Sequence, residues 1–290
     1  MKRPAKTLCI LLAVCMMLGL CGCHGDSAIR ELESIGTKRY GVVFRQGDRA
    51  AQAVSEAMDE LSESGKLSEL SLRWLGSDMI SYTSVSFDSA NPAEPSQSPD
   101  QSGESGEEPQ SARTPASNTI SRTLIVGVEA EYYPLTYSEN GGVKGMCADI
   151  AQELGSLLGW DIKLYPIKSS ELASQLNSGN IDCAIGVGTE YIDPAGFTLG
   201  PVFMKSEIVV VSKNGGDYRT TRSLEGAAVG TAGDMSVLSA LGNTDKITKY
   251  TDSFLAYESP AACLEALGRG EIAAAAMDRL MLDCNLIPNN

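Results

Sequence analysis

The chain has 290 residues, a formal net charge of −14 and one histidine, His24. That length suits one large or two small domains. The acidic surplus argues against a nucleic-acid partner, and a single histidine argues against a histidine base or a histidine-built metal site.

At the start of the chain, Lys2, Arg3 and Lys6 precede an apolar run from Leu8 to Leu20, the layout of a secretory signal over residues 1–22. The run is too short to span a bilayer comfortably. Its end, Leu20-Cys21-Gly22-Cys23, resembles a bacterial lipobox, and the small Gly22 points to Cys23 as the lipidated first residue of the mature chain. Cys21 is disfavoured because bulky Leu20 precedes it, and an ordinary signal peptide cleaved nearby is the alternative reading. Loss of residues 1–22 removes three positive charges and no negative ones, so the mature net charge moves from −14 to −17. Cys147, Cys183, Cys263 and Cys284 lie in the body, at spacings that do not suggest a zinc site; buried free thiols are expected.

Next, RYGVVFRQGD reads as a strand, and Val54, Ala57, Met58 and Leu61 recur at i, i+3, i+4 and i+7 on the helix after it. LSELSLRWLG adds Leu67, Leu70, Leu72, Trp74 and Leu75. One strand and these helices, residues 27–83, cannot bury a sheet face unaided and must pack on something longer. From about residue 84 to 120 the composition shifts to Ser, Pro, Gln, Gly and Glu, which predicts a disordered, extended linker.

Beyond the linker, strand and helix signals alternate: TLIVGV, then GMCADIAQELGSLLG as a helix, DIKLYPI, SSELASQLNSG as a helix, and IDCAIGVG. SEIVVVSK and AAVG read as strands, GDMSVLSALG as a helix, KITKY as a strand, SPAACLEALGRG as a helix and EIAAAAMD as a strand. The pattern predicts an α/β architecture with mainly parallel sheets. It stops at the helix RLMLDCNLIPNN with no strand after it, and the leading segment supplies the strand that is missing.

LIVGVEAEYYPLTYSENGGVKGMCADIAQELGSLLG, LNSGNIDCAIGVG, GAAVGTAGD and LEALGRGEIAAAAMD resemble, in order, segments of the type 2 periplasmic solute-binding proteins of family 3, the polar amino-acid binders of ABC transporters. YGVVFRQGD with its closing RWLG resembles the segment that ends those proteins, yet here it comes first. The resemblance therefore implies a circularly permuted, two-lobed fold with two hinge strands. Residues 121–206 with 41–83 would form lobe 1, and 207–290 with 27–41 would form lobe 2. As a flexible coil the linker would span roughly 30–35 Å, enough to join an old end near Leu75 to an old start near Leu124. Two incomplete domains in tandem, or a chain that swaps segments with a second copy, are the alternatives.

The resemblance also implies a ligand cleft. Glu129 and Tyr132 match the acid and the covering aromatic after the first strand, and Gly188 and Thr189 match a strand end that meets the ligand. Gly230, Thr231 and Ala232 are expected to open a helix whose free N–H groups take a carboxylate, and Asp278 matches the carboxylate that receives an α-ammonium group. The blander readings are a solvated turn for Glu129, packing for Tyr132 and Tyr133, and a plain cap for the Gly-Thr pair. One departure stands out: the family's carboxylate-clamping arginine is absent, with Asp193-Pro194 near its place, no arginine from Thr123 to Tyr218, and Lys205 as the nearest cation of that stretch. A cleft with two acids and no arginine disfavours a free carboxylate and favours an amine, a neutral solute or a peptide-like molecule.

These expectations add up to a monomeric, extracytoplasmic lipoprotein held at the cell membrane by its anchor. It would bind a small polar or amino-acid-like solute for an ABC permease, without cofactor, metal or nucleic acid. It is not expected to be an enzyme, since no nucleophile–base pair is visible. The rival expectation is a sensory or docking envelope lipoprotein of the same fold with altered or lost ligand binding.

Overall fold

Tyr40, Val42, Val43 and Phe44 are all fully buried, so both faces of the strand that carries them are covered. That strand, β1 (Ile29–Arg45), opens the part of the chain that the computed structural model describes, residues 29–87, 122–251 and 253–286. The predicted signal segment, Cys23, His24 and most of the predicted linker lie outside the described residues. After β1 come helices α1 (Ala50–Glu63) and α2 (Lys66–Leu75) and a short strand, β2 (Ile80–Thr83). The predicted apolar stripe of α1 is the face it buries: Val54, Ala57, Met58 and Leu61 are enclosed, each larger side chain contributing about 1.5–3 kcal/mol of burial. α2 ends at Gly76, whose φ of 73° is a left-handed stop that glycine adopts without a Cβ penalty.

The second described stretch begins with β3 (Thr123–Glu129), the hairpin β4 (Tyr137–Glu139) and β5 (Gly142–Lys144), α3 (Met146–Leu158) and β6 (Asp161–Ile167). It continues with α4 (Leu172–Ser178), β7 (Cys183–Gly188) and the 17-residue β8 (Phe197–Lys213). The chain then runs through β9 (Ala228–Thr231), α5 (Met235–Gly242), α6 (Asp245–Thr248), β10 (Ser253–Ala256), α7 (Pro260–Arg269), β11 (Ala274–Asp278) and α8 (Arg279–Leu286). KITKY, expected as a strand, is largely the helix α6. Thr244 caps it by accepting a hydrogen bond from the Lys246 N–H at 3.2 Å, and the strand is displaced to β10, parallel to β9.

Most strands join one mixed sheet in the order β10-β9-β11-β8-β1-β7-β3-β6, with β2 paired to β8 at one side. Parallel pairing joins β6 to β3, β3 to β7, and β9 to both β10 and β11, as crossover helices require; β1 and β8 run antiparallel to their neighbours. β1 and β8 are long enough to serve two ends. Their pairing extends from Ile29 opposite Lys213 to Arg45 opposite Phe197. Tyr40 to Phe44 of β1 pair with Gly188 to Cys183 of β7 at one end, and Ile208 to Ser212 of β8 pair with Asp278 to Ala274 of β11 at the other.

The core divides accordingly. At the β7 end, Tyr40, Val42, Phe44, Met58 and Leu67 of the leading segment share a cluster with Leu124, Val126, Ile150 and Leu154. At the β11 end, Ile208, Val210, Val229 and Val237 form one cluster, and Val209, Val211, Cys263 and Leu267 another on the opposite face. Polar contacts bind the leading segment as well: the Trp74 indole N–H donates to Asp149 of α3 at 2.8 Å, and Lys66 pairs with Glu153 at 3.3 Å. The four cysteines of the body are free thiols, Cys147, Cys183 and Cys263 buried and Cys284 half-buried, as expected.

Candidate functional site

Where the two ends of the sheet meet, the β-pleat places Lys38 and Tyr40 on one face of β1, two residues apart. Lys38 is fully buried. Its Nζ donates to Asp234 Oδ2 at 2.9 Å and to Glu129 Oε2 at 3.4 Å, and it lies 4.3 Å from the Tyr132 ring centroid and 4.8 Å from that of Tyr40. Glu129 ends β3, while Asp234 lies in the β9–α5 loop, so one ammonium ties the two ends together. The Tyr132 hydroxyl donates to Asp234 across the same gap. Beside it the Met235 N–H donates to Ser169 Oγ at 3.3 Å. Asp278, at the end of β11, accepts from the Tyr40 and Ser206 hydroxyls and from the Leu280 N–H.

Three carboxylates so close to one ammonium do not titrate alike. Burial lowers the affinity of Lys38 for its proton, but the charges of Asp234, Glu129 and Asp278 outweigh that and hold it above the ordinary lysine range. Burial pushes the Glu129 carboxyl up to about 7, against the pull of Lys38. Asp278 is raised too, by burial, with Lys38, Ser206 and Tyr40 opposing. Asp234 is the exception: burial raises it, but Lys38 and the hydrogen bonds from Tyr132, Lys38 and the Ser236 N–H bring it below the usual carboxylate value.

Against this cluster lies a cavity of about 500 Å³, between the ends of β3 and β6 on one side and the β9–α5 and β10–α7 loops on the other. Glu129, Glu131, Tyr132, Lys168, Asp234 and Glu258 are among its walls. Buried polar atoms without a protein partner gather in the same region: Glu129 Oε1, Thr231 Oγ1 and Ser236 Oγ. A buried polar atom is costly unless something satisfies it, so Glu129, the one of the three residues that lines the cavity, suits a polar solute.

Of the residues singled out from sequence, Glu129, Tyr132 and Ala232 line the cavity, and Thr231 is buried at the end of β9 with its hydroxyl unpartnered. The others are placed differently. Gly230 lies within β9 and faces the core, where a Cβ would come 2.4 Å from Ile272 Cδ1. It and the two residues after it do not begin a helix: α5 starts at Met235, and its N-terminus is already capped by Asp234 Oδ1, which accepts from the Ser236 N–H at 2.8 Å. The anion expected from a ligand is supplied by the chain. Thr189 donates both its backbone N–H and its hydroxyl to the Arg39 carbonyl of β1, at 3.0 and 3.3 Å. Gly188 abuts α5, a Cβ there falling 2.0 Å from Ser236 Oγ. Asp278 is 1 % exposed and bonded to protein donors, outside the cavity wall. Tyr133 is 37 % exposed and packs edge-on against Tyr137, while Tyr132 enters the site.

Lys205, expected as the nearest cation, is exposed on β8. The cation that pairs with Glu129 and Asp234 is Lys38, which comes before the linker, while Lys168 stands on the cavity wall. The signal that could have found it is the alternation Lys38-Arg39-Tyr40, which puts a lysine on the buried face of the strand next to the acids. Asp234 was missed as well; the signal for it is an Asp directly before an apolar helix, where it caps α5.

Residues 124–255 match the bacterial extracellular solute-binding proteins, family 3. Among similar proteins, the arginine-binding extracellular protein ArtP of Bacillus subtilis (strain 168) is 24% identical over 110 residues, 38% of this chain and 43% of ArtP. The L-cystine-binding protein TcyJ of Escherichia coli (strain K12) is 29% identical over 112 residues, 37% of this chain and 42% of TcyJ. The chain thus matches less than half the length of these relatives. Among solved structures, the arginine-bound ArgBP from T. maritima superposes with a TM-score of 0.43 at 22% identity, over 56% of this chain and 76% of that one. Among the described residues no helix is long and apolar enough to cross a membrane.

Proposed function

We propose that this protein is a family 3 solute-binding protein that takes a small cationic or neutral polar solute, amine or amino-acid-like, in the cavity between the two ends of its sheet, and passes it to an ABC permease. The observation that carries the reading is the wall of that cavity, where Glu129, Glu131, Asp234 and Glu258 stand against Lys168. Such a wall attracts a net cation and disfavours a net anion, which would lose its water beside like charges. Glu129, Tyr132, Thr231 and Ala232 are the sequence-derived residues assigned to the solute; Gly188, Thr189 and Asp278 act behind them. Relatives named for arginine and cystine binding agree with that class.

Two lobes, 121–206 with 41–83 and 207–290 with 27–41, would close on the solute about β1 and β8. The chain is read as a circular permutant acting as a monomer, which is supported by β1 of the leading segment lying between β8 and β7. Lipidation at Cys23 would hold it at the outer face of the cell membrane. Binding and closure make up the work; no bond is made or broken.

Thermal shift of the mature chain against arginine, cystine, alkylamines, glutamate and aspartate tests the reading. A solute at a hundredfold its Kd adds about 2.7 kcal/mol, or roughly 5–10 °C in a protein of this size. Arginine or an amine is expected to give such a shift, and glutamate and aspartate none. A silent panel, or a response to the two acids alone, would overturn it. A silent panel would favour the second reading, a sensory or docking lipoprotein without a solute, for which the specific argument is that Lys38 already pairs with Asp234 and Glu129.

A further inference from the structure

Lys38 is held as a bound cation is held. Its Nζ, fully enclosed, meets one carboxylate from each end of the sheet and lies near the rings of Tyr132 and Tyr40. An ammonium offers three donors and no acceptor, and ionised oxygens with aromatic faces are the chemistry that holds it once water is gone. The cage has acceptor capacity to spare, since Glu129 Oε1 is buried, in a residue only 4 % exposed, and has no partner. It also shares a wall with the cavity, which Glu129, Tyr132 and Asp234 line while Lys38 does not. A structural ion pair accounts poorly for this arrangement, because a buried pair seldom stabilises more than apolar packing would, and here Asp278 adds a further carboxylate to the field of the single ammonium. A clamp for a ligand carboxylate is excluded in this conformation by the complete burial of Nζ.

We propose that the cage is a cation subsite that the chain fills with its own Lys38 ammonium, an internal ligand that holds β3 against the β9–α5 loop, and that a primary alkylammonium solute binds by displacing it. The displacement step rests on the solute-binding reading; the cage itself does not. Lys38 is thereby the residue that sets both how tightly the unliganded protein stays closed and how strongly a solute must bind to enter.

Replacing Lys38 with alanine removes the three methylenes and nitrogen that n-propylammonium would restore, so the mature Lys38→Ala chain is titrated with n-propylammonium chloride and with 1-propanol as the uncharged isostere. Lys38→Ala is expected to melt below the wild type and to be restabilised by several degrees at about 10 mM n-propylammonium, with at least a tenfold lower Kd than the wild type shows and no effect of 1-propanol. Should the variant not fold alone, refolding with n-propylammonium but not with 1-propanol is the result expected. Equal responses of variant and wild type, or rescue by both additives or by neither, would overturn the proposal. Small-angle scattering of the same proteins without additive reads the latch directly: Lys38→Ala should have the larger radius of gyration, and an unchanged radius in a folded variant counts against it. Rescue by n-propylammonium together with a wild type silent to the solute panel would refute the transport reading and leave the cage standing. A wild type that binds panel amines while Lys38→Ala gains nothing would do the reverse.

Discussion

Glu129 ends β3 at the cavity wall, buried against Lys38. Its position after the first strand pointed to the site; what it faces is a lysine from the other side of the linker. Burial sets its proton affinity, moving it from the ordinary 4.5 to about 7. A folded-state value above the unfolded one means that the folded chain binds more protons between those two pH values, so stability is expected to fall as pH rises from 4.5 to about 7. Lys38 stays charged throughout. Denaturant melts of wild type and Glu129→Gln at several pH values in that window check this: the wild type should lose more stability toward pH 7, because only it carries the proton that Glu129 releases. Parallel profiles for the two proteins would remove Glu129 from the titration.

At the scale of the element, the strand β1 carries the argument. Its apolar half was legible because YGVVF is β-branched and aromatic. Its first half, IRELESIGTK, has no such pattern and becomes a strand only because β8 extends alongside it. Pairing is irregular at Gly41, where β1 shifts register against both neighbours. A Cβ there would sit 2.7 Å from Thr189 Cγ2 and 3.0 Å from the Pro201 carbonyl oxygen. Backbone cannot rotate away as a side-chain tip can, so Gly41→Ala should cost about 1–3 kcal/mol of stability by overpacking. A melting temperature equal to the wild type's would show that β1 and β8 have slack to separate at this point. The helices α1, α3 and α7 were legible for the complementary reason: a 3.6-residue apolar period needs only one face to be buried, and local capping by Ser259 and a Pro260 start mark where α7 begins. α6 was misread because KITKY alternates like a strand, whereas Thr244 caps a helix there.

At the scale of the molecule, the leading segment and the residues after 122 share one core and one sheet. If that burial holds them together, the covalent join between them is dispensable once the chain has folded. A protease site introduced between residues 88 and 121 should give two fragments that stay together on gel filtration and melt in one transition, because parting them would expose Val42, Phe44, Met58 and Leu67 to water. Fragments that separate without denaturant would contradict the shared core.

By itself the sequence determined the α/β class and the strands and helices with strong periods, and its contiguous motifs carried the family resemblance, because each rests on local pattern. It did not determine that Lys38, Tyr40, Glu129, Asp234 and Asp278 form one cluster. Those residues are scattered from position 38 to 278, and electrostatic energy falls with distance through space, which only the tertiary pairing of β1 with β7 and β8 defines. Lys38 meets Glu129 and Asp234 only because folding inserts its strand between β8 and β7.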